Sequence, residues 1–228
     1  MNDNGFEGVR VCVFDAYGTL FDVHSAVGRY SARLTDAGAV SMLWRTKQLE
    51  YTWLRTLMGR YVDFWQITKD ALDFALDTQA VDDPLLRKDL TQAYLELSCY
   101  PEVPKVLGDL KARGFRCAIL SNGSPEMLGA AVRNSELENF FDAVISINAI
   151  GVYKPDPRVY QMAVDQFGLD PAAIAFQSSN AWDAAGAGAF GFKVAWINRF
   201  GQRPERLDTV ADAELKDLKG LPDLLPAS

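Results

Sequence analysis

At 228 residues the chain can hold one domain carrying an insertion, or two modest domains. Its hydrophobic content of 49% and aromatic content of 11% fit a well-packed soluble globule. A net charge of -7 argues against nucleic acid or an anionic membrane surface as the main partner, so an anionic substrate needs a local cluster of positive charge.

Met1 to Arg10 is polar and lacks the apolar core of a signal peptide, and nothing in the chain approaches a membrane span in length. Val11 to Phe14 reads as a buried strand that ends abruptly in Asp15 and a Gly18-Thr19 turn. In open α/β sheets the ligand crevice lies beyond the carboxyl ends of the strands, which would make Asp15 face a pocket. The plainer reading is an aspartate that caps a turn or the next helix.

From there to about Pro101 the text is helical. Leu43 to Arg60 has strong helix formers and no proline, with Leu43, Tyr51, Leu54 and Met58 on one face and Met42, Arg45, Leu49 and Trp53 on a second. Asp63 can cap a helix whose face is Phe64, Ile67, Ala71, Phe74 and Ala75, and Asp83-Pro84 opens another through Leu86, Leu90, Ala93 and Leu97. Trp44, Trp53 and Trp65 read as core or subunit-contact residues, and the apolar outer stripe of the first helix suits a homodimer contact.

After Glu102 the period alternates. Val103 to Leu110 is a short helix closed by Gly114, and Arg116 to Leu120 a strand leading into Ser121-Asn122-Gly123-Ser124-Pro125. Ala143 to Ile147 is a strand followed by a loop with Lys154-Pro155, then a helix through Val159, Met162, Ala163 and Phe167 to Gly168. Ile174 to Gln177 is a strand, Ser178-Ser179-Asn180 opens an Ala/Gly-rich helix, and Val194 to Ile197 is the last core strand. A short strand near Val210 and a helical turn near Leu221 close the chain. The alternation predicts an α/β fold, a Rossmann-like parallel sheet with helices on both faces. Residues 1–20 and 102–228 would form this core, and 21–101 an inserted helical cap, bundle-like, lying over the strand ends. The three cysteines, Cys12, Cys99 and Cys117, are odd in number and show no zinc spacing; they read as reduced thiols of a cytoplasmic protein.

Four strand ends contribute polar residues: Asp15 with Thr19, Ser121 with Asn122, Lys154, and Ser178, Asn180 and Asp183. Each alone has an ordinary explanation as a turn former, solvated lysine or helix cap. Their occurrence at successive strand ends of one sheet is the signal.

The Asp-x-x-Gly-Thr-Leu start, the Ser121-Asn122 turn, the Lys154-Pro155 loop and the late acidic loop resemble the four motifs of the haloacid dehalogenase superfamily. More narrowly, Phe14 to His24, Leu43 to Leu54, Ile119 to Ser124, Tyr153 to Asp156 and Ser178-Ser-Asn-Ala-Trp-Asp183 resemble the L-2-haloacid dehalogenases, through the cap as well as the core. That resemblance implies displacement of halide from short L-2-haloalkanoic acids. Asp15 would be the nucleophile and Lys154 would keep it ionised; Thr19 would hold it in its attack orientation. Asp183, oriented by Asn180, would activate water for the second step, giving the D-2-hydroxy acid. The resemblance also implies that Ser121 and Ser178 grip the substrate carboxylate, and that Arg45, Asn122 and Trp182 receive the halide. Tyr17, Leu49 and Phe64 would wall the alkyl group, and Tyr160 would fix a carboxylate or merely pack. Arg45 is a permanent cation in an apolar stripe, so it must otherwise snorkel or pair with an acid such as Glu50. One departure is visible: Thr46 stands where the family commonly has glutamine after the arginine, which bears on substrate size and halide preference. The lone histidine, His24, takes no catalytic role.

Superfamily phosphatases carry a second aspartate where this chain has Tyr17, and a phenol of pKa about 10 is a poor acid/base near neutrality. Two carboxylates beside one ammonium are close to charge balance and would hold a divalent cation weakly, so neither metal nor cofactor is expected. The rivals are a phosphatase or phosphonatase of the same superfamily, and a binding module that has kept the fold without catalysis.

Overall fold

The computed structural model describes residues 5–226; the outermost positions of the expected core segments, 1–4 and 227–228, lie outside it. Strand β1 (Val11–Phe14) is buried along its whole length. The chain then leaves the sheet through an antiparallel crossing in which Phe21 bridges Cys99. Asp22 N–H donates to the Ser98 carbonyl at 3.1 Å and Tyr100 N–H to the Leu20 carbonyl at 2.9 Å. The regular elements between these crossings are all helical: α1 (Ser25–Gly28), a 3-10 turn over Ser31–Arg33, α2 (Ala37–Leu57), α3 (Phe64–Thr78) and α4 (Pro84–Leu95). Asp36, Asp63 and Asp83 cap α2, α3 and α4, each carboxylate accepting a backbone N–H three residues on.

After the return come α5 (Val103–Ala112), β2 (Arg116–Ser121), α6 (Pro125–Asn134), β3 (Ala143–Ser146), α7 (Pro157–Phe167), β4 (Ile174–Ser178), α8 (Ala181–Phe190), β5 (Lys193–Ile197), β6 (Ala213–Leu215) and α9 (Leu221–Leu224). The strands form one sheet in the order β3-β2-β1-β4-β5-β6, every pair parallel. Successive side chains of a strand point to opposite faces, so strands buried at every position need helices on both sides. With β1 at the centre, the loops after β1, β2 and β4 open on one edge, and the inserted helices roof it.

Local pattern and tertiary packing part company in three places. Helix α2 begins at Ala37, ahead of the expected Leu43, because Asp36 caps it and the weak first-turn Gly38 conceals that start. Its buried face is Val40, Trp44, Gln48 and Thr52, while Leu54, Met58 and Met42 are exposed. Polar groups can lie inside because α3 satisfies them: Trp44 Nε1–H donates to the Thr68 carbonyl and Gln48 Nε2–H to Thr68 Oγ1, both at 2.8 Å. The last strand, expected near Val210, lies slightly further on at Ala213–Leu215, and Val210 itself is exposed. Asp212 docks it by accepting the Val194 N–H at 2.8 Å. Finally, β3 stops at Ser146, whose hydroxyl caps a 3-10 turn over Ile147–Ala149.

Candidate active site

Asp15 sits where β1 ends, 6% exposed, its own N–H held by the Gln177 carbonyl of β4 at 2.8 Å. Lys154 Nζ donates to Asp15 Oδ1 at 3.1 Å and to Asp183 Oδ2 at 2.8 Å, and lies 4.8 Å from the centre of the Phe176 ring. Asp15 Oδ2 accepts from Asn180 Nδ2 at 2.9 Å and Thr19 Oγ1 at 3.2 Å, with Ser178 Oγ at 3.5 Å. Tyr160 donates its hydroxyl to Asp183 Oδ1 at 2.8 Å. Asp15, Thr19, Lys154, Tyr160, Ser178, Asn180 and Asp183 therefore form one hydrogen-bonded cluster. Asn180 begins α8 without capping it; its side chain is turned to Asp15 instead.

The loop after β1 is shaped by Gly18, whose φ of +88° belongs to the left-handed region; a Cβ there would stand 2.9 Å from Ser179 Oγ. Ser179 in turn donates its N–H to Thr19 Oγ1 at 2.8 Å. Burial alone would lower the Lys154 pKa, but Asp15 and Asp183 together outweigh it and the value is raised, so the ammonium persists. Burial raises Asp183, against the pull of Lys154 and the hydroxyl of Tyr160, making it a stronger base than a solvated aspartate. Burial, reinforced by Asp183, also holds Tyr160 well above the usual phenol range, so it stays a neutral donor. Tyr17 is raised by burial first, then by Tyr94 and Asp15, and among the described residues its hydroxyl has no hydrogen-bond partner.

Arg45 reaches down from α2 to the core. Its guanidinium donates to Gln48 Oε1 at 2.8 Å, Asn180 Oδ1 at 3.3 Å and the Tyr17 carbonyl at 3.4 Å. Among the described residues no carboxylate pairs with it; Glu50 is taken by Lys47. The cation is thus solvated by neutral oxygens at the floor of a cavity of about 680 Å³, whose lining includes Arg45, Thr46, Leu49, Asn180, Trp182 and Phe200. Trp182 stacks edge-on against Trp53 at 5.3 Å.

The remaining sequence-predicted residues lie apart from this lining. Tyr17 and Phe64 stack on each other at 5.7 Å inside the seam between helices and sheet. Asn122 Oδ1 accepts the Lys154 N–H at 3.1 Å and so holds the lysine loop, while Ser121 Oγ accepts the Gly123 N–H. His24 lines the cavity edge, hydrogen-bonded to Ser41 at 2.8 Å; burial lowers its pKa despite Asp22. Gln48 escaped sequence reasoning. It is buried, bonded to Arg45, Tyr94 and Thr68 at once, and its signal was a polar residue one turn from two aromatic ones.

A parallel sheet whose carboxyl-end loops bring together a carboxylate, an ammonium and a second carboxylate beneath inserted helices is the frame of a hydrolase with a Rossmann-like core. The model of the haloacid dehalogenase-like hydrolases matches residues 9–191. The chain is 53% identical to (S)-2-haloacid dehalogenase 4A of Burkholderia cepacia over 201 residues, 87% of either protein. It is 50% identical to (S)-2-haloacid dehalogenase 1 of Pseudomonas sp. (strain CBS-3) over 95% of this chain and 96% of that one. Its structure superposes with a TM-score of 0.88 on L-2-haloacid dehalogenase from Xanthobacter autotrophicus with chloropropionic acid covalently bound. That pair is 38% identical, over 95% of this chain and 98% of the other. The chain belongs to the haloacid dehalogenase-like hydrolase family. Among the described residues no helix is long and apolar enough to cross a membrane.

Proposed function

We propose that the protein hydrolyses short-chain (S)-2-haloalkanoic acids to (R)-2-hydroxy acids through an ester of Asp15. The observation that carries this reading is the position of Lys154 Nζ, bonded to both Asp15 and Asp183. With both carboxylates already bonded to one ammonium, and Tyr17 in place of a second aspartate in the loop after β1, the described residues leave a divalent cation few oxygen ligands. The residues present therefore do not fit a magnesium site, and the chemistry falls to the chain's own groups.

In the first step an Asp15 oxygen attacks the carbon bearing halogen from the side opposite the halide. The new C–O bond forms as C–X breaks, inverting that centre, and halide departs with the electron pair. Thr19 and Asn180 hold the carboxylate during attack, and Arg45, with Trp182 beside it and Asn122 behind Lys154, receives the growing negative charge. Ser121 and Ser178 grip the substrate carboxylate. Leu49 borders the alkyl group, backed by the buried Tyr17 and Phe64. In the second step Asp183, kept basic by burial and steered by Tyr160, takes a proton from water. The resulting hydroxide adds to the ester carbonyl of Asp15, the acyl C–O bond breaks, and Asp183 returns the proton to the departing alkoxide. The solvent oxygen remains on Asp15, which loses the last proton to water.

Segment 21–101 acts as the cap and residues 1–20 and 102–228 as the core. Exposed Leu54 and Leu57 on α2, Met58 just beyond it and Phe74 on α3 support a homodimer through the outer face of the inserted helices. The three cysteines, odd in number and without zinc spacing, support a reducing compartment, the cytoplasm.

The test is incubation with L-2-chloropropionate in excess chelator, following chloride release and product configuration. Chloride with D-lactate is expected, and a first turnover in ¹⁸O-water should label Asp15 and leave the product unlabelled. Magnesium-dependent phosphate release from p-nitrophenyl phosphate without chloride would favour a phosphatase, and ligand binding without turnover a non-catalytic module.

A further inference from the structure

Away from the carboxylates a second charged cluster is nearly as deeply buried, and neither reaction step uses it. Arg199, just beyond β5, pairs through Nη1 with Glu102 Oε1 at 2.6 Å, both side chains 8% exposed. Its guanidinium carbon lies 3.8 Å from the centre of the Tyr100 ring. Its Nη2 donates to the Thr19 carbonyl at 2.8 Å. A buried ion pair is seldom better for stability than apolar residues filling the same space. What this one touches gives it another use.

Tyr100 and Glu102 stand where the chain returns from the helical insert, next to the Phe21–Cys99 crossing. Thr19 is the residue whose hydroxyl meets Asp15. Arg199 also lies in the loop that rims the cavity, where the Asn198 side chain bonds the backbone of Gln202 at 2.7 and 2.9 Å while Phe200, Gln202 and Glu205 line the cavity. One guanidinium thus touches the hinge and the nucleophile loop from the rim. Its planar fork meets a carboxylate in one direction and donates to a carbonyl in another while its face rests on an aromatic ring, which a lysine cannot do.

We infer that Arg199, clamped by Glu102 and Tyr100, is a positioning residue that holds Thr19, and through it Asp15, in register with the inserted helices that carry Arg45. The inference rests on the reading of Asp15 as nucleophile. Attack needs Asp15 and Arg45 placed on opposite sides of one carbon, and these groups belong to segments that meet at this hinge. A misplacement of about 1 Å costs such a step roughly a hundredfold.

The test compares full-length Arg199→Gln, Arg199→Lys and Glu102→Gln with wild type. Thermal unfolding is measured alongside steady-state chloride release, and ester formation on Asp15 is followed in a single turnover by rapid quench and mass spectrometry. Arg199→Gln and Glu102→Gln should lose about tenfold or more in kcat and in the rate of ester formation, with KM within about threefold. Arg199→Lys should fall between them and wild type. The Glu102→Gln/Arg199→Gln double variant should be no slower than the slower single one. Folded variants that form the ester at the wild-type rate overturn the inference, as does a change confined to KM or a loss equal to the unfolded fraction. If Arg199→Gln does not fold, Arg199→Lys and Glu102→Gln decide between the same results. A wild-type protein that releases no chloride defeats the functional reading instead, and is seen before any variant is made.

Discussion

Replacing Lys154 by methionine keeps most of the volume and removes the charge that two buried carboxylates share. The lysine side chain is 1% exposed, Asp183 0% and Asp15 9%, so solvent cannot take over its role. Removing one partner of a buried pair costs about 3–5 kcal/mol. Two like charges in a dry site relieve that cost by binding a proton, and Asp183, already raised by burial, loses its main opposing attraction and rises further. A carboxyl whose folded pKa is raised contributes stability that is present below its unfolded value, near 4, and lost as pH climbs through the folded value. Lys154→Met should therefore unfold at a distinctly higher temperature at pH 5 than at pH 8, relative to wild type at the same two values. Once a proton is shared, either the nucleophile or the base is neutral, and chloride release at pH 8 should fall by roughly two to four powers of ten. Differential scanning calorimetry and a chloride electrode make both measurements on one preparation. Wild-type turnover, or a difference in melting temperature that does not change with pH, would refute the electrostatic account.

Three further outcomes follow from the same geometry. Asp183→Asn should form the ester at near the wild-type rate and hydrolyse it slowly, so that intact-protein mass spectrometry finds the adduct accumulating; an unmodified protein in the steady state would contradict this. Because burial raises Asp183, the acid limb of ester hydrolysis should lie above the ordinary aspartate range, with deacylation failing first as pH falls; pre-steady-state rates against pH check it. Arg45→Ala should lower kcat by about a hundredfold or more. It should barely lower the melting temperature, since Gln48 keeps its bonds to Tyr94 and Thr68; a melted protein would assign Arg45 to folding.

Arg45 shows how far sequence reasoning reached and where it stopped. A cation on an apolar helical stripe marked the residue, yet the stripe itself was misjudged. The face of α2 that is buried runs through Gln48, which Thr68 on α3 and Tyr94 on α4 make tolerable, and Thr52, whose hydroxyl turns back to the Leu49 carbonyl. Periodicity registers where apolar residues recur along one element; it carries no information about which polar groups will find partners on another.

The sequence by itself determined the alternation of strands and helices, the helical interruption after β1 and the placing of Asp15, Lys154, Asn180 and Asp183 at strand ends. These are local matters of strand patterning, capping residues and turn formers, each decided within a few positions of chain. Only the tertiary structure decided the hydrogen bonds by which Lys154, expected beside the two carboxylates, bridges them, that Asn180 turns from its helix to Asp15, and that Arg199 joins Thr19 to Glu102. Those contacts span from 29 to 180 residues, and their geometry follows from strand order and from the way the inserted helices seat on the sheet.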